Sequence, residues 1–247
     1  MTGEGERKGW RKVLSPLLAV FICGAGLASL GGCSDSGPSS PSGFVDIGTN
    51  DPGTVLASGD SVTAGLDSSD GRGYRRHLED LLNQQGKSVT VVNGGRAGIV
   101  SRNVDLVLSD LARFRPAVVV LQYGINDANV VAETTAPSIV VHLRNMVYGA
   151  LDNKSIVVLT TLTPSCGYRD EQNGIIQETN RRIRELALEF EKEPAFVLAD
   201  VGAAFAEGDP GGGGCRFISP ENFNHPNDEG YRLMATVIAE TIKPLSW

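Results

Sequence analysis

Four short blocks of this 247-residue chain carry side chains that could do chemistry together. Gly59–Gly65 reads "GDSVTAG", a Ser behind a sharp Gly-Asp turn and ahead of a helix, where its hydroxyl can be exposed. Asn93–Gly98 reads "NGGRAG", whose glycines let the backbone approach a ligand with its N–H groups unobstructed. Gly124–Asp127 reads "GIND" and offers an amide side chain, and Asn222–Tyr231 reads "NFNHPNDEGY", with a His just before a final helix. A hydroxyl, an imidazole, an amide and open backbone N–H groups are what acyl transfer requires. They supply a nucleophile, a base for its proton and donors for the charge that develops on a carbonyl oxygen. Each block alone reads more simply as a turn, a loop or a cap.

Their positions along the chain unite them. Five apolar runs, beginning at Thr54, Val89, Ala117, Ile156 and Phe196, lack polar alternation, as strands buried on both faces do. Between them lie helical spacings: Leu78, Leu81 and Leu82; Val104, Val107, Leu108 and Leu111, with Ser101 as a possible cap; the segment Pro137 to Leu151; and Ile176, Ile183, Leu186 and Phe190. Tyr231, Met234, Ile238 and Ile242 form a last stripe. The βαβαβαβαβα order predicts an α/β fold, a three-layer α/β/α sandwich with a five-stranded parallel sheet, in one domain over residues 53–247. Ligands bind such sheets beyond the carboxyl ends of the strands. Three of the blocks directly follow a strand, and the fourth precedes the last helix.

With these blocks in this order the sequence resembles the SGNH hydrolases, also called GDSL esterases, from Gly59 to Tyr231. The resemblance implies a flavodoxin-like sheet and assigns Ser61 as nucleophile and His225 as its base. The backbone N–H groups of Ser61 and Gly95 and the Asn126 amide become the oxyanion donors. It also implies no metal or organic cofactor, and small acyl-ester substrates such as lysophospholipids, short acyl or aryl esters, thioesters or acetylated sugars. Acyl preference would then rest on the loops Asp67 to Gly73, Ala128 to Ala136 and Ser165 to Asn173, and the "GGGG" run at Gly211–Gly214 would shape or cover the acyl site.

The match departs at one position. Family members carry an Asp three residues before the His, where this chain has Asn222. Three readings follow. Asn222 could turn its side-chain or main-chain carbonyl to His225, Glu221 could substitute as the acid, or the fold could bind a ligand without turning it over, as a non-catalytic lipid-anchored protein. Asp228 reads as first-turn helix charge. His77 and His142 fall within helical patterns and read as surface or packed side chains.

Composition excludes other classes. The net charge is −7, and beyond the first dozen residues no basic stretch could neutralise a run of phosphates, so no nucleic-acid partner is expected. The three His stand far apart and the four Cys form no CxxC pair, which argues against a metal centre. Residues 1–32 read as a secretory signal, with Arg7, Lys8, Arg11 and Lys12 before an apolar run. That run ends in "LGGC", which resembles a bacterial lipobox and assigns Cys33 as a lipidated first residue, followed by a Ser/Pro/Gly-rich linker to residue 52. The expected location is therefore exported and lipid-anchored: the outer membrane or periplasmic face in a Gram-negative cell, otherwise the outer face of the cell membrane. In an oxidising compartment the remaining pair, Cys166 and Cys215, is expected to form a disulfide.

Overall fold

The computed structural model describes residues 43–130 and 134–247. The expected signal over residues 1–32, the lipidation site Cys33 and the linker through residue 42 lie outside the described residues.

A two-residue strand β1 (Gly43–Phe44) opens the described chain. The five apolar runs are the strands of one parallel sheet: β2 (Asp51–Gly59), β3 (Thr90–Gly95), β4 (Pro116–Gln122), β5 (Ile156–Thr160) and β6 (Phe196–Ala199). Their order across the sheet is β3-β2-β4-β5-β6, the flavodoxin-like arrangement, with a switch point between β3 and β4 on either side of β2. Val55 of β2 lies opposite Val91 of β3 and Val118 of β4. Every residue of β4 and β5 is buried, which is why neither run alternates with polar residues. Each valine or leucine so buried contributes roughly 1.5–3 kcal/mol against exposure to water.

The helices among the described residues are α1 (Ser61–Ala64), α2 (Tyr74–Gln84), α3 (Val104–Phe114), α4 (Ile125–Val130), α5 (Ala136–Asp152), α6 (Asn173–Glu189), α7 (Val201–Gly208) and α8 (Asp228–Ile242). The predicted stripes fall on α2, α3, α5, α6 and α8. One group packs as α2 on α8 and α8 on α7, and a second as α3 on α5 and α5 on α6. Leu78 and Leu82 of α2, Ile176, Ile183 and Leu186 of α6, and Tyr231, Met234, Ile238 and Ile242 of α8 are all buried. Among the described residues no helix is long and apolar enough to cross a membrane.

Three local expectations change. The cap of α3 is Asn103, whereas Ser101 is fully buried and bonded elsewhere. The short helices α4 and α7 carry too little periodicity to be read from sequence. The folded body also begins ahead of residue 53. Strand β1 pairs in parallel with β7 (Leu245–Ser246), Val45 N–H donates to Ser246 O at 2.7 Å, and Val45 and Ile47 are buried. Trp247 Nε1 closes the same corner by donating to Pro52 O at 3.0 Å.

Cys166 and Cys215 form a disulfide across 49 positions of sequence. A crosslink closing a loop of that length stabilises by about 4 kcal/mol in the chain-entropy model. Reduction should therefore lower the melting temperature by about 10 °C, read by thermal unfolding with and without dithiothreitol. An unchanged Tm under full reduction would show that the crosslink contributes nothing to stability.

Candidate active site

The position of Ser61 follows from glycine at the end of β2. A Cβ on Gly59 would lie 2.2 Å from Thr63 Oγ1 and 2.4 Å from Gln122 O, so only glycine lets the strand turn tightly into α1. Asp60 caps that helix, its Oδ1 accepting from Val62 N–H at 2.9 Å. Ser61 is then the first helical residue, where a backbone N–H has no partner within the helix.

His225 reaches Ser61 from the other end of the chain. Ile218 and Pro226 form an antiparallel bridge, Ser219 N–H donates to His225 O at 2.8 Å, and Asn227 caps α8 through Gly230 N–H at 3.0 Å. The imidazole is thereby aimed inward, and its Nε2 lies 2.9 Å from Ser61 Oγ.

The group facing the other ring nitrogen is neither of the two expected. Asp67 Oδ2 lies 3.2 Å from His225 Nδ1. Asn222 points its amide nitrogen at the same carboxylate, 2.9 Å from Oδ1 and 2.7 Å from Oδ2, and its main-chain carbonyl accepts from Arg169 Nε at 3.1 Å. Glu221 accepts from Ser219 Oγ at 2.5 Å. Sequence reasoning read Asp67 only as the start of a pocket loop. The missed signal was an acid just beyond α1, at the same sheet edge as the His block.

The expected oxyanion donors sit around Ser61, each with a partner or packing role of its own. A Cβ on Gly95 would lie 2.3 Å from Ala64 N, so this glycine lets β3 press against α1. Its N–H donates to Asn93 Oδ1 at 2.9 Å, so an incoming oxyanion would compete with that contact. Asn126 is buried and spends one amide hydrogen on Ile99 O at 2.8 Å, leaving the second. Next to it, Asp127 accepts from Ser101 N–H at 2.8 Å and Ser101 Oγ–H at 2.7 Å, which leaves Ser101 Oγ to accept from His142 Nδ1 at 2.9 Å. These bonds tie the loop after β3 to α4 and α5, and they give His142 a structural partner.

Most of the glycine run at Gly211–Gly214 lines a cavity whose lining includes neither Ser61 nor His225. Gly211, Gly212 and Gly213 line a cavity of about 510 Å³ between α6 and α7, together with Leu162, Ile176 and Arg184. His77 lies on α2 beside Asp80 and Arg232, outside the site. Among the described residues no group of three or more His, Cys, Asp and Glu side chains is placed to hold a metal ion.

The model of the GDSL-like lipase/acylhydrolase family matches residues 57–233, and the chain belongs to that family. It is an ester hydrolase of the SGNH type. Among solved structures, the chain is similar to TesA, with 25% identity, 77% of this chain and 98% of that one covered, and a TM-score of 0.61. It is also similar to the lipase/acylhydrolase from Enterococcus faecalis, with 22% identity, 77% and 95% coverage and a TM-score of 0.63. A catalytic mutant of Axe2, an acetylxylan esterase from Geobacillus stearothermophilus, matches with 19% identity, 78% and 95% coverage and a TM-score of 0.63. No curated protein sequence matches the chain.

Asp60, directly before Ser61, is fully buried. Burial pushes its carboxyl up to about 7, opposed by the Val62 N–H and reinforced by the charge of Asp127. Between about pH 4, where the unfolded chain ionises, and about pH 7, only the unfolded state gains this charge, so stability falls as pH rises through that window. Asp60→Asn keeps a capping oxygen and removes the titration. Its stability relative to the parent should improve by on the order of 4 kcal/mol from pH 4 to pH 8 in urea unfolding. A pH-independent difference between the two proteins would show that Asp60 does not titrate in this way.

Proposed function

We propose that this enzyme cleaves carboxylic esters by acyl transfer to Ser61. The observation that carries the reading is the 2.9 Å approach of His225 Nε2 to Ser61 Oγ, joining two residues 164 positions apart. Ser61 Oγ attacks the carbonyl carbon as His225 takes its proton. The tetrahedral oxyanion is held by the N–H groups of Ser61 and Gly95 and the free amide hydrogen of Asn126. Its collapse expels the alcohol, which receives the proton from His225, and leaves an acyl ester on Ser61. Water, deprotonated by the same imidazole, then releases the acid. The substrate is an acyl or acetyl ester, and family membership supports esters as the class.

The second part of the proposal is location. The basic and apolar N-terminal segment and "LGGC" support export and attachment to a membrane through acyl chains on Cys33. More than one chain is needed for durable attachment, since each buried methylene contributes about 0.8 kcal/mol.

The purified protein should hydrolyse p-nitrophenyl acetate and take a fluorophosphonate label. Ser61→Ala should abolish both, and Asn126→Ala should lower kcat by about 10² to 10³. Equal turnover by the parent and Ser61→Ala would exclude the acyl-enzyme. In bacteria expressing the full chain, Cys33→Ser should move the protein from the detergent phase to the aqueous phase on Triton X-114 partitioning. An unchanged partition would exclude the anchor.

A further inference from the structure

We infer that the acid and the amide of the orienting pair have exchanged places: Asp67 is the residue that positions His225, and Asn222 holds Asp67. The inference rests on the ester-hydrolase reading and adds a residue to it.

Three observations carry it. The first is the pair of contacts on one carboxylate. Asp67 Oδ2 faces His225 Nδ1 at 3.2 Å, and Asn222 Nδ2 lies within 2.9 Å of both Asp67 oxygens. An ionised carboxylate can only accept, so Nδ1 carries the proton and the Nε2 lone pair faces Ser61. Asn222 is likewise fixed as a donor. An Asp at 222 would set two carboxylates within hydrogen-bond distance, where like charges oppose joint ionisation, so the two positions accommodate one acid and one amide.

The second observation is that the acid is anchored. Leu66 O accepts from Tyr231 Oη–H at 2.5 Å, and Ser69 N–H donates to Asp228 Oδ1 at 2.9 Å. Tyr231 and Asp228 both belong to the beginning of α8, the helix that follows His225. Acid and base are therefore referenced to one rigid element. The third is backbone conformation. Asp67 and Phe223, the residue after Asn222, are held at φ 65° and 61°, in the left-handed region that non-glycine residues seldom adopt. Both segments that bring the pair to the ring keep that conformation.

The exchange predicts a reciprocal pattern. Asp67→Asn lets an amide nitrogen face Nδ1 and favours the wrong tautomer, so kcat/KM on p-nitrophenyl acetate should fall by about 10² to 10⁴. Asn222→Asp alone should lower activity at pH 8 instead of raising it. The double variant Asp67→Asn/Asn222→Asp restores one acid and one amide and should recover at least about tenfold over Asp67→Asn, a coupling that independent sites do not show. A readout free of turnover separates this from the function itself. The His225 Nδ1–H proton signal in ¹⁵N-edited NMR should be present in the parent, lost in Asp67→Ala and recovered in the double variant. Persistence of that signal in Asp67→Ala, or an Asp67→Asn variant within threefold of the parent, would overturn the exchange. A parent protein that shows the signal yet neither hydrolyses ester nor takes fluorophosphonate would overturn the ester-hydrolase reading while leaving the geometry of the exchange intact.

Discussion

A 2.9 Å hydrogen bond between Ser61 and His225 joins residues 164 positions apart, and the architecture around it removes the freedom that would otherwise separate them. Ser61 is placed by the sheet. Gly59 pairs with Gly95 on one side and Gln122 on the other, so three strands end level at the rim and their following loops meet there. His225 is placed by α8 and by the short bridge from Ile218 to Pro226. These two supports are themselves locked together by α2 packed on α8 and by Tyr231 against the backbone of Leu66. The contact is thus a product of tertiary packing, with no local sequence preference for it at either end.

The layers beneath the rim are less comfortable than the sheet that carries them. Asp60 is fully buried with Oδ2 lacking a hydrogen-bond partner, close enough to Asp127 for the two charges to disfavour one another. Buried, half-satisfied carboxylates cost stability, and such departures from an otherwise consistent core gather at functional sites. Here the cost is offset by continuous apolar burial along β4 and β5. The Asp127, Ser101 and His142 contacts add a second polar patch behind Asn126. That patch orients the loop that follows β3.

What could be read from sequence was what depends on residues near one another in the chain or on composition. Unalternating runs such as "AVVVLQY" announce a doubly covered strand, and the blocks holding Ser61, Gly95, Asn126 and His225 fall where the strands and the last helix place them. Asp67 was hidden because an Asp six residues beyond a Ser, in a glycine-bearing turn, has the same signature as an ordinary turn former. Only its left-handed backbone and its distant partners give it a different meaning. Ser101 misled for a similar reason, since a Ser three residues ahead of a helix looks like a cap while its true partners lie 26 and 41 positions away. Strand β1 was missed because two residues cannot display a period, and their pairing partner lies at the other end of the chain.

That pairing of the two chain ends has a geometric corollary. Gly43 and Phe44 join the body beside Leu245 and Ser246, and Trp247 closes on Pro52, where β2 begins. Ser61 lies just past the opposite end of the same strand, roughly 25 Å away at the rise of an extended chain. The two ends of the described chain thus meet near the start of β2, a strand's length from Ser61.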